Sequence, residues 1–129
     1  MIRARFDQES KGGQYLLSVA LTPIMFIVEK SYQVTAISRY IDFANIMTYD
    51  YHTPGTFPYT NYNAPLRANK LDIWYLRYFN VEFSAHYLHS RGLRKDQIIV
   101  GIPFYGYLYY LANPQFHGVY SLCNGTQGC

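Results

Sequence analysis

Polar side chains that could bind or act on a ligand follow two apolar runs of the sequence, at the point where each run ends. Tyr49, Asp50, Tyr51 and His52 come directly after the run 43–47, whose composition is typical of a strand buried on both faces of a parallel sheet. Tyr105 and Tyr107 follow a second run, 97–103. Because the carboxyl ends of parallel strands form the active-site edge of α/β proteins, we expect these groups to line one site.

The aromatic residues indicate what kind of ligand such a site would take. The 129 residues include 15 Tyr, 8 Phe and 1 Trp. A tyrosine ring has apolar faces and a polar tip, and it therefore suits sugar rings, which have apolar C–H faces and hydroxyl rims. Partly buried tyrosines are also common in ordinary packing, so composition alone leaves both interpretations open for any one tyrosine.

The elements that must position these side chains alternate between helix and strand. Apolar residues at i and i+4 predict the last turns of a helix before residues 11–13, and a strand follows over 15–21. After a Thr-Pro break, Ser31 is the expected N-cap of a second helix, whose apolar face repeats at positions 34, 37 and 41. The strand that precedes Tyr49 comes next.

A long loop and two further helices complete the pattern. Residues 52–70 are rich in Thr, Pro, Gly, Asn and Tyr, and their aromatic content favours an ordered loop at a binding edge over disorder. We predict a helix over 71–79, where Trp74 would serve in packing, and another from the N-cap Asn80 to Arg91, with Gly92 at the C′ position. The alternation predicts the α/β class, with parallel strands and right-handed crossovers.

Charge and hydropathy exclude two classes of partner, and the last residues predict the compartment. The net charge is only +3 and the basic residues are scattered, whereas a nucleic-acid surface concentrates them on one face. No run reaches the ~18 apolar residues of a membrane span. Cys123 and Cys129 enclose Asn124-Gly125-Thr126, an acceptor pattern for N-glycosylation. They predict a disulfide, a glycan on Asn124 and an extracellular, oxidising setting, with any signal peptide upstream.

Four ordered motifs resemble glycoside hydrolase family 18, which comprises chitinases and chitinase-like lectins. The family signature Met-x-Tyr-Asp matches residues 47–50, and the segment that leads into it matches residues 40–43. Asn-Ala-Pro-Leu at 63–66, and the run 92–106 that ends in Gly-Ile-Pro-Phe-Tyr-Gly, resemble two later segments. Because all four occur in the family's order and spacing, the resemblance covers nearly the whole chain.

The resemblance implies a (β/α)₈ TIM barrel, of which this chain would be a part. A complete barrel needs ~250 residues, and the three predicted strands would be about the fifth, sixth and seventh. Residues 1–111 would form the partial barrel, and residues 112–129 would be the start of an insertion or a truncated tail.

The resemblance also implies a reaction. In family 18 the 2-acetamido group of the substrate attacks its own anomeric carbon, in an exception to the two-carboxylate scheme of glycosidases. A glutamic acid that closes an Asp-x-x-Asp-x-Asp-x-Glu motif on the fourth strand protonates the leaving oxygen. The chain has no such motif, and its one pair with a matching spacing, Asp7 and Glu9, lies on a predicted helix. We therefore assign no catalytic residue, metal or cofactor, and expect the chain alone to be inactive.

The same resemblance names the residues that would contact the sugar. Tyr49 would hydrogen-bond the acetamido carbonyl, Asp50 would contact the distorted sugar, and Met47 would line the pocket floor. Tyr105 would border the neighbouring subsite. Family members commonly carry Arg at the position of Tyr107, and a phenol brings neither the charge nor the fork of donors of that Arg.

Three functions remain open at this stage. The first is a fragment of a secreted chitinase, which hydrolyses β-1,4-linked N-acetylglucosamine polymers. The second is a non-catalytic, chitin-binding lectin of the chitinase-like kind, which the substitution at Tyr107 favours. The third is a small α/β domain with no sugar ligand, which would require all four motif matches to be coincidental.

Overall fold

Short parallel strands form the centre of the structure, a computed structural model that describes residues 2–10 and 15–124. The strands are β1 (Ser18–Leu21), β2 (Phe43–Ile46) and β3 (Ile98–Val100), and their order in the sheet is β1-β2-β3. In the parallel register Leu21 lies beside Ile46, and Ile46 lies beside Val100. The predicted α/β class and the parallel pairing are confirmed.

Helices connect the strands. They are α1 (Ile2–Glu9) before β1, α2 (Met25–Ser31) and α3 (Val34–Ser38) between β1 and β2, and α4 (Val81–Ser90) between β2 and β3. Two 3₁₀ turns, Trp74–Tyr78 and Lys95–Gln97, precede α4 and β3. Within the described part of the chain, no helix has both the length and the hydropathy needed to cross a membrane.

The core lies between one face of the sheet and the helices. Because side chains alternate along a strand, Ala44 and Ile46 share the buried face of β2, whereas Asn45 points to the other face. The buried apolar cluster is formed by Leu21, Val28, Val34, Ala44, Ile46, Leu88 and Leu93. On the other face, Ala20 and Ile99 beside Asn45 are exposed. Among the described residues the sheet is therefore covered on one face, which corrects the prediction that β2 is buried on both.

The ends of α4 agree with the sequence prediction. The Asn80 side chain accepts a hydrogen bond from Phe83 N at 2.8 Å, as an N-cap does. Gly92 follows the helix with a φ of +117°, a conformation that residues with a Cβ rarely adopt. A Cβ there would also lie 2.6 Å from Oγ1 of Thr35. The position therefore requires glycine, which allows the end of α4 to pack closely against Thr35 of α3.

The connection between β1 and β2 differs from the prediction. Ser31 is the last residue of α2, a helix that the apolar pattern did not predict, and not the N-cap of α3. α3 begins after Gln33, which provides no side-chain cap, and ends at Ser38, three residues before Ile41. Tertiary packing, through Val28 and Val34 in the core, stabilises these short helices in place of capping.

Two predicted elements are shorter than the sequence pattern suggests. The first strand starts at Ser18, because Tyr15 and Leu16 before it are exposed. The predicted helix 71–79 is only the 3₁₀ turn Trp74–Tyr78. Trp74 has a φ of 48°, which an α-helix excludes, and its side chain is 83% exposed. Trp74 therefore contributes little to packing, contrary to the prediction.

The last described residues fold back onto the long loop after β2. Tyr59 pairs with Leu122, and Leu111 pairs with Cys123, in isolated antiparallel bridges. The hydroxyl of Thr60 donates to Gly118 O at 2.6 Å. These bonds hold the loop in place, as its aromatic content indicates. The domain boundary predicted between residues 111 and 112 stays a prediction.

Candidate functional site

The ends of β2 and β3 meet at Gly101. Gly101 N donates to Ile46 O at 2.9 Å, and Oγ1 of Thr48 donates to Gly101 O at 2.7 Å. A Cβ at Gly101 would lie 2.7 Å from Ile46 O and 3.0 Å from Cε1 of Tyr49. The close approach of the two strand ends therefore depends on glycine, and it places Tyr49 against the end of β3.

Asp50 joins the two strand ends through its carboxylate. Oδ1 of Asp50 accepts hydrogen bonds from the hydroxyl groups of Tyr105 and Tyr107, both at 2.6 Å. Tyr49 packs edge-on against Tyr105 with ring centroids 6.1 Å apart, and Tyr105 meets Tyr107 in the same way at 6.0 Å. We call these four residues the Asp50 cluster. They are four of the five residues that the sequence predicts to contact a sugar.

Asn63, in the loop after β2, connects both sides of the Asp50 cluster. Its Oδ1 accepts from Asp50 N at 2.7 Å, and its Nδ2 donates to Tyr105 O at 3.3 Å. Asp50 has a positive φ of 60°, which Asp tolerates better than most residues, and the bond to Asn63 stabilises that conformation. Asn63 was not among the residues predicted to form the site, although its place in the Asn-Ala-Pro-Leu motif at 63–66 was an available signal.

Met47 is the fifth residue predicted to contact a sugar. It is half-buried directly after β2, where its N–H donates to Leu21 O at 3.0 Å. This bond continues the pairing of β1 with β2 by one residue. The predicted place of its side chain in the floor of a sugar pocket stays a prediction.

The hydrogen bonds of the Asp50 cluster determine where its protons lie. The bond to Asp50 is the main cause that raises the pKa of Tyr107 well above its usual range. Desolvation, and after it the bond to Asp50, raises the pKa of Tyr105. Both phenols consequently remain protonated at neutral pH and donate to the carboxylate. Oδ2 of Asp50 accepts no hydrogen bond from the described residues, and since Asp50 is exposed this oxygen is open to a ligand.

Tyr51 and His52 follow Asp50 in sequence but are buried. The Tyr51 hydroxyl forms a hydrogen bond with Oγ of Ser84 at 2.7 Å, and burial raises the pKa of Tyr51 to about 12. His52 is 2% exposed, with Nδ1 3.2 Å from Tyr62 O. Its Nε2 has no hydrogen-bond partner within the described residues, and burial lowers the pKa of His52. These two side chains anchor the loop, which corrects their predicted place in the site.

Asp7 and Glu9, the acidic pair with catalytic-like spacing, lie on the exposed side of α1. Arg3 pairs with Asp7 at 2.9 Å, and Arg5 pairs with Glu9 at 3.1 Å, each across one helical turn. Both carboxylates are more than half exposed. They therefore form ordinary surface ion pairs.

The described residues show no metal site and only part of the predicted terminal features. Residues 2–10 and 15–124 contain no group of His, Cys, Asp or Glu that could hold a metal ion. Cys123 is half-buried and Asn124 is exposed. Cys129 and the rest of the glycosylation pattern, Gly125 and Thr126, lie outside the described residues. The disulfide and the glycan stay predictions.

Comparison with known proteins identifies the family. The family model described as glycosyl hydrolases family 18 matches residues 1–128. The chain belongs to glycosyl hydrolase family 18. Relatives of this family 18 chain include probable chitinase 2 of Drosophila melanogaster, 36% identical over 106 residues, and chitinase-3-like protein 2 of Homo sapiens, 30% identical over 101 residues. These matches cover 81% and 78% of the chain but only 20% and 26% of the relatives.

Solved structures of the family have the same local fold. Catalytic domain 2 of the Ostrinia furnacalis Group II chitinase superposes with a TM-score of 0.85 at 28% identity, over 95% of this chain and 30% of that one. Human YKL-39, described as a pseudo-chitinase with retained chitooligosaccharide binding, superposes with a TM-score of 0.89 at 26% identity, over 96% and 35%. The family 18 chain thus spans about a third of these structures, and its parallel strands are part of a TIM barrel.

Proposed function

We propose that this chain supplies the sugar-holding part of the cleft in a secreted chitinase, which hydrolyses β-1,4-linked N-acetylglucosamine polymers with help from the substrate's acetamido group. The observation that carries the proposal is the Asp50 cluster at the carboxyl ends of β2 and β3, the edge at which TIM barrels bind substrates. Membership of family 18 and similarity to several chitinases support it.

Each member of the Asp50 cluster has a distinct role in this proposal. The hydroxyl of Tyr49 forms no hydrogen bond with the described residues, so it is free to donate to the acetamido carbonyl. Oδ2 of Asp50 contacts the distorted sugar, and Tyr105 borders the next subsite. Groups that are already oriented lower the barrier because they need no rearrangement when charge develops.

Hydrolysis also needs a general acid, which these residues do not provide. The sequence contains no Asp-x-x-Asp-x-Asp-x-Glu motif, and Asp7 and Glu9 form surface ion pairs on α1. In the proposed enzyme another segment of the protein carries the glutamic acid that protonates the leaving oxygen. The 129 residues alone are therefore expected not to hydrolyse chitin.

A chitooligosaccharide-binding lectin is the second candidate. It is favoured by Tyr107, a neutral residue where family members commonly carry Arg, and by the similarity to human YKL-39, a pseudo-chitinase. The two candidates use the same Asp50 cluster and differ in whether a proton donor faces it. Secretion is part of both proposals, on the strength of the cysteines and the glycosylation pattern near residue 124.

Paired measurements of binding and hydrolysis on the full-length protein test the proposal. We expect retention on chitin beads, and retention falls in Tyr49→Phe and Asp50→Ala. Release of a fluorophore from a chitobioside substrate identifies the chitinase, and retention without release identifies the lectin. Tyr40→Phe is the matched control, because Tyr40 precedes β2 at the opposite end of the sheet. Equal retention of all four proteins, or none on chitin, would contradict the proposal.

A further inference from the structure

The Asp50 carboxylate is held by two neutral donors on the same oxygen, and Tyr107 provides one of them. We propose that Tyr107 is a positioning residue, whose hydroxyl keeps Asp50 in the orientation that presents Oδ2 to the ligand. The Asp50 cluster would then recognise a ligand group that donates a hydrogen bond to this oxygen. The inference rests on the proposed sugar-binding function. It adds that the ligand group at this part of the site must be a hydrogen-bond donor.

The number of protons in the Asp50 cluster shows why the ligand group must be a donor. A phenol has one proton, and Tyr105 and Tyr107 each direct theirs to Oδ1 of Asp50 at 2.6 Å. Around the carboxylate the remaining positions, Oδ2 and the phenol lone pairs, are therefore acceptors. A ligand atom that approaches them must bring an O–H or N–H group, such as a sugar hydroxyl or the acetamide N–H.

The charge of the Asp50 cluster also favours a donor on the ligand. The ion pairs found among the described residues join Arg3, Arg5, Arg67 and Arg94 to other carboxylates, and none reaches Asp50. Within the described part of the chain, the hydrogen bonds to the Asp50 carboxylate therefore come from neutral hydroxyl groups and not from a cation. A hydrogen bond from the ligand to a carboxylate is stronger than one to a neutral acceptor, so the orientation of Oδ2 matters for affinity.

The carboxylate needs these two bonds to stay in one orientation. The backbone of Asp50 is fixed by the bond from its N–H to Asn63, but that bond leaves the side-chain torsions free. The hydroxyls of Tyr105 and Tyr107 approach Oδ1 from two rings packed edge-on against each other, which restrains those torsions. The ring of Tyr107 also lines a groove with Tyr62 and other residues, so it has support independent of its hydroxyl.

Removal of the Tyr107 hydroxyl is the direct test. In the full-length protein we expect Tyr107→Phe to weaken chitotetraose binding, measured by calorimetry, about three- to tenfold, which is the usual effect of one lost hydrogen bond. Tyr40→Phe removes a hydroxyl at the other end of β2 and should leave the dissociation constant unchanged. A thermal melt of each variant confirms that the fold is retained.

An NMR titration without ligand separates positioning from mere packing. With tyrosine labelled at ¹³Cζ, the Tyr107 signal is assigned by its absence from Tyr107→Phe. We expect Tyr107 to remain protonated at pH ~10.5 in the unchanged protein, above the usual tyrosine pKa of ~10, and to ionise at lower pH in Asp50→Asn. If Tyr107 only packed in its groove, with its hydroxyl away from the Asp50 carboxylate, it would ionise at nearly the same pH in both proteins.

The outcomes distinguish this inference from the proposed function. If the unchanged protein binds chitotetraose and Tyr107→Phe binds equally well, the positioning role is wrong and the sugar-binding function stands. If Tyr107 ionises at the same pH in Asp50→Asn, the positioning role is also wrong. If the unchanged protein binds no chitotetraose, the proposed function fails, and the titration alone decides whether Tyr107 holds Asp50.

Discussion

His52 is a titratable side chain that is buried without a role in ligand contact. Its ring lies among aromatic neighbours, with centroids 5.4 Å from Phe57 and 6.2 Å from Phe79. Nδ1 faces the carbonyl of Tyr62, which only accepts hydrogen bonds, so Nδ1 carries the proton and Nε2 is an acceptor to which none of the described residues donates. A second proton would place a cation among these rings, and the charge of Asp72 offsets only part of the cost of burying it. The folded state therefore keeps His52 neutral.

The buried neutral imidazole predicts acid sensitivity. Burial lowers the pKa of His52 in the folded state, whereas the unfolded chain binds a proton at its ordinary pKa of ~6.5. Protonation of His52 thus favours unfolding. The free energy of unfolding should be unaffected by His52 above pH ~6.5 and should decrease as the pH falls below that value. Urea unfolding of the full-length protein at pH 7.5 and 5.0 checks this. His52→Gln should reduce the loss between the two pH values, and the same change at exposed His117 should not.

The direction of side chains just after β2 could not be read from the sequence. Strand alternation would place neighbouring residues on opposite faces, but two short turns interrupt it, from Thr48 N to Ile46 O at 2.9 Å and from Tyr49 N to Met47 O at 2.8 Å. Asp50 then adopts a positive φ, which is not a strand conformation. Tyr49 and Asp50, which the motif predicts to contact a sugar, lie together with Tyr105 at the strand ends, whereas residue 52 is buried. The role of the two motif residues in sugar contact stays a prediction.

At the scale of elements, Gln97 connects α3 to β3. Its side chain is fully buried, and its Nε2 donates to Ser38 O at 2.8 Å and to Ile41 O at 2.9 Å. Its Oε1 accepts from Arg94 N at 3.2 Å. One amide group therefore satisfies three backbone groups where the helical connection turns into β2 and where β3 begins.

We expect Gln97→Leu to lower the free energy of unfolding by about 3 kcal/mol, because the two carbonyls and the N–H that Gln97 satisfies would lose their partners at a partly buried site. Leucine has a similar volume, so the loss measures hydrogen bonding more than packing. The midpoint of urea unfolding checks the prediction. Gln8→Leu, on the exposed surface of α1, is the control and should shift the midpoint by much less. Equal shifts would show that the buried amide is not needed.

Local signals predicted some elements and missed others for a physical reason. Asn80 and Gly92 mark the ends of α4 correctly, because a cap and a left-handed residue act within a single turn. α2 and α3 have no side-chain caps, and each contributes one side chain to the buried cluster. Contacts distant in sequence decide such helices, and a local pattern does not contain them.

At the scale of the whole molecule, the sheet has two open edges. Among the described residues, β1 and β3 each pair with β2 on one side only. Ile102 and Phe104, after β3, are 72% and 101% exposed. Strands at an open edge offer unpaired backbone groups to other chains, and exposed apolar residues strengthen such pairing.

We expect the 129-residue chain, expressed by itself, to self-associate or to form a molten state. Size-exclusion chromatography should give an elution volume smaller than that of a monomer, and a dye that binds exposed apolar surface should fluoresce. Ile102→Lys should reduce both signals, whereas Gln8→Lys on α1 adds the same charge away from the edge and should not. A monomeric elution volume together with a sharp cooperative melt would contradict this prediction.

The global arrangement was the most predictable level. Alternation of helix and strand is enough to predict parallel pairing, because right-handed crossovers leave few alternatives. The open face of the sheet was not predictable. Apolar residues such as Ala20 and Ile99 have the sequence pattern of core residues, and that pattern does not show which residues cover them. The numbering of the strands as fifth to seventh in the barrel stays a prediction.

Asn63 has a consequence for how this region can change during evolution. Its amide uses both ends, accepting from Asp50 N and donating to Tyr105 O, so it joins three segments that are far apart in the chain. Aspartate would lose the donor, and glutamine would be too long by one methylene. Positions 50, 63 and 105 should therefore show strong epistasis, and in descendants they should be retained as a set or replaced as a set.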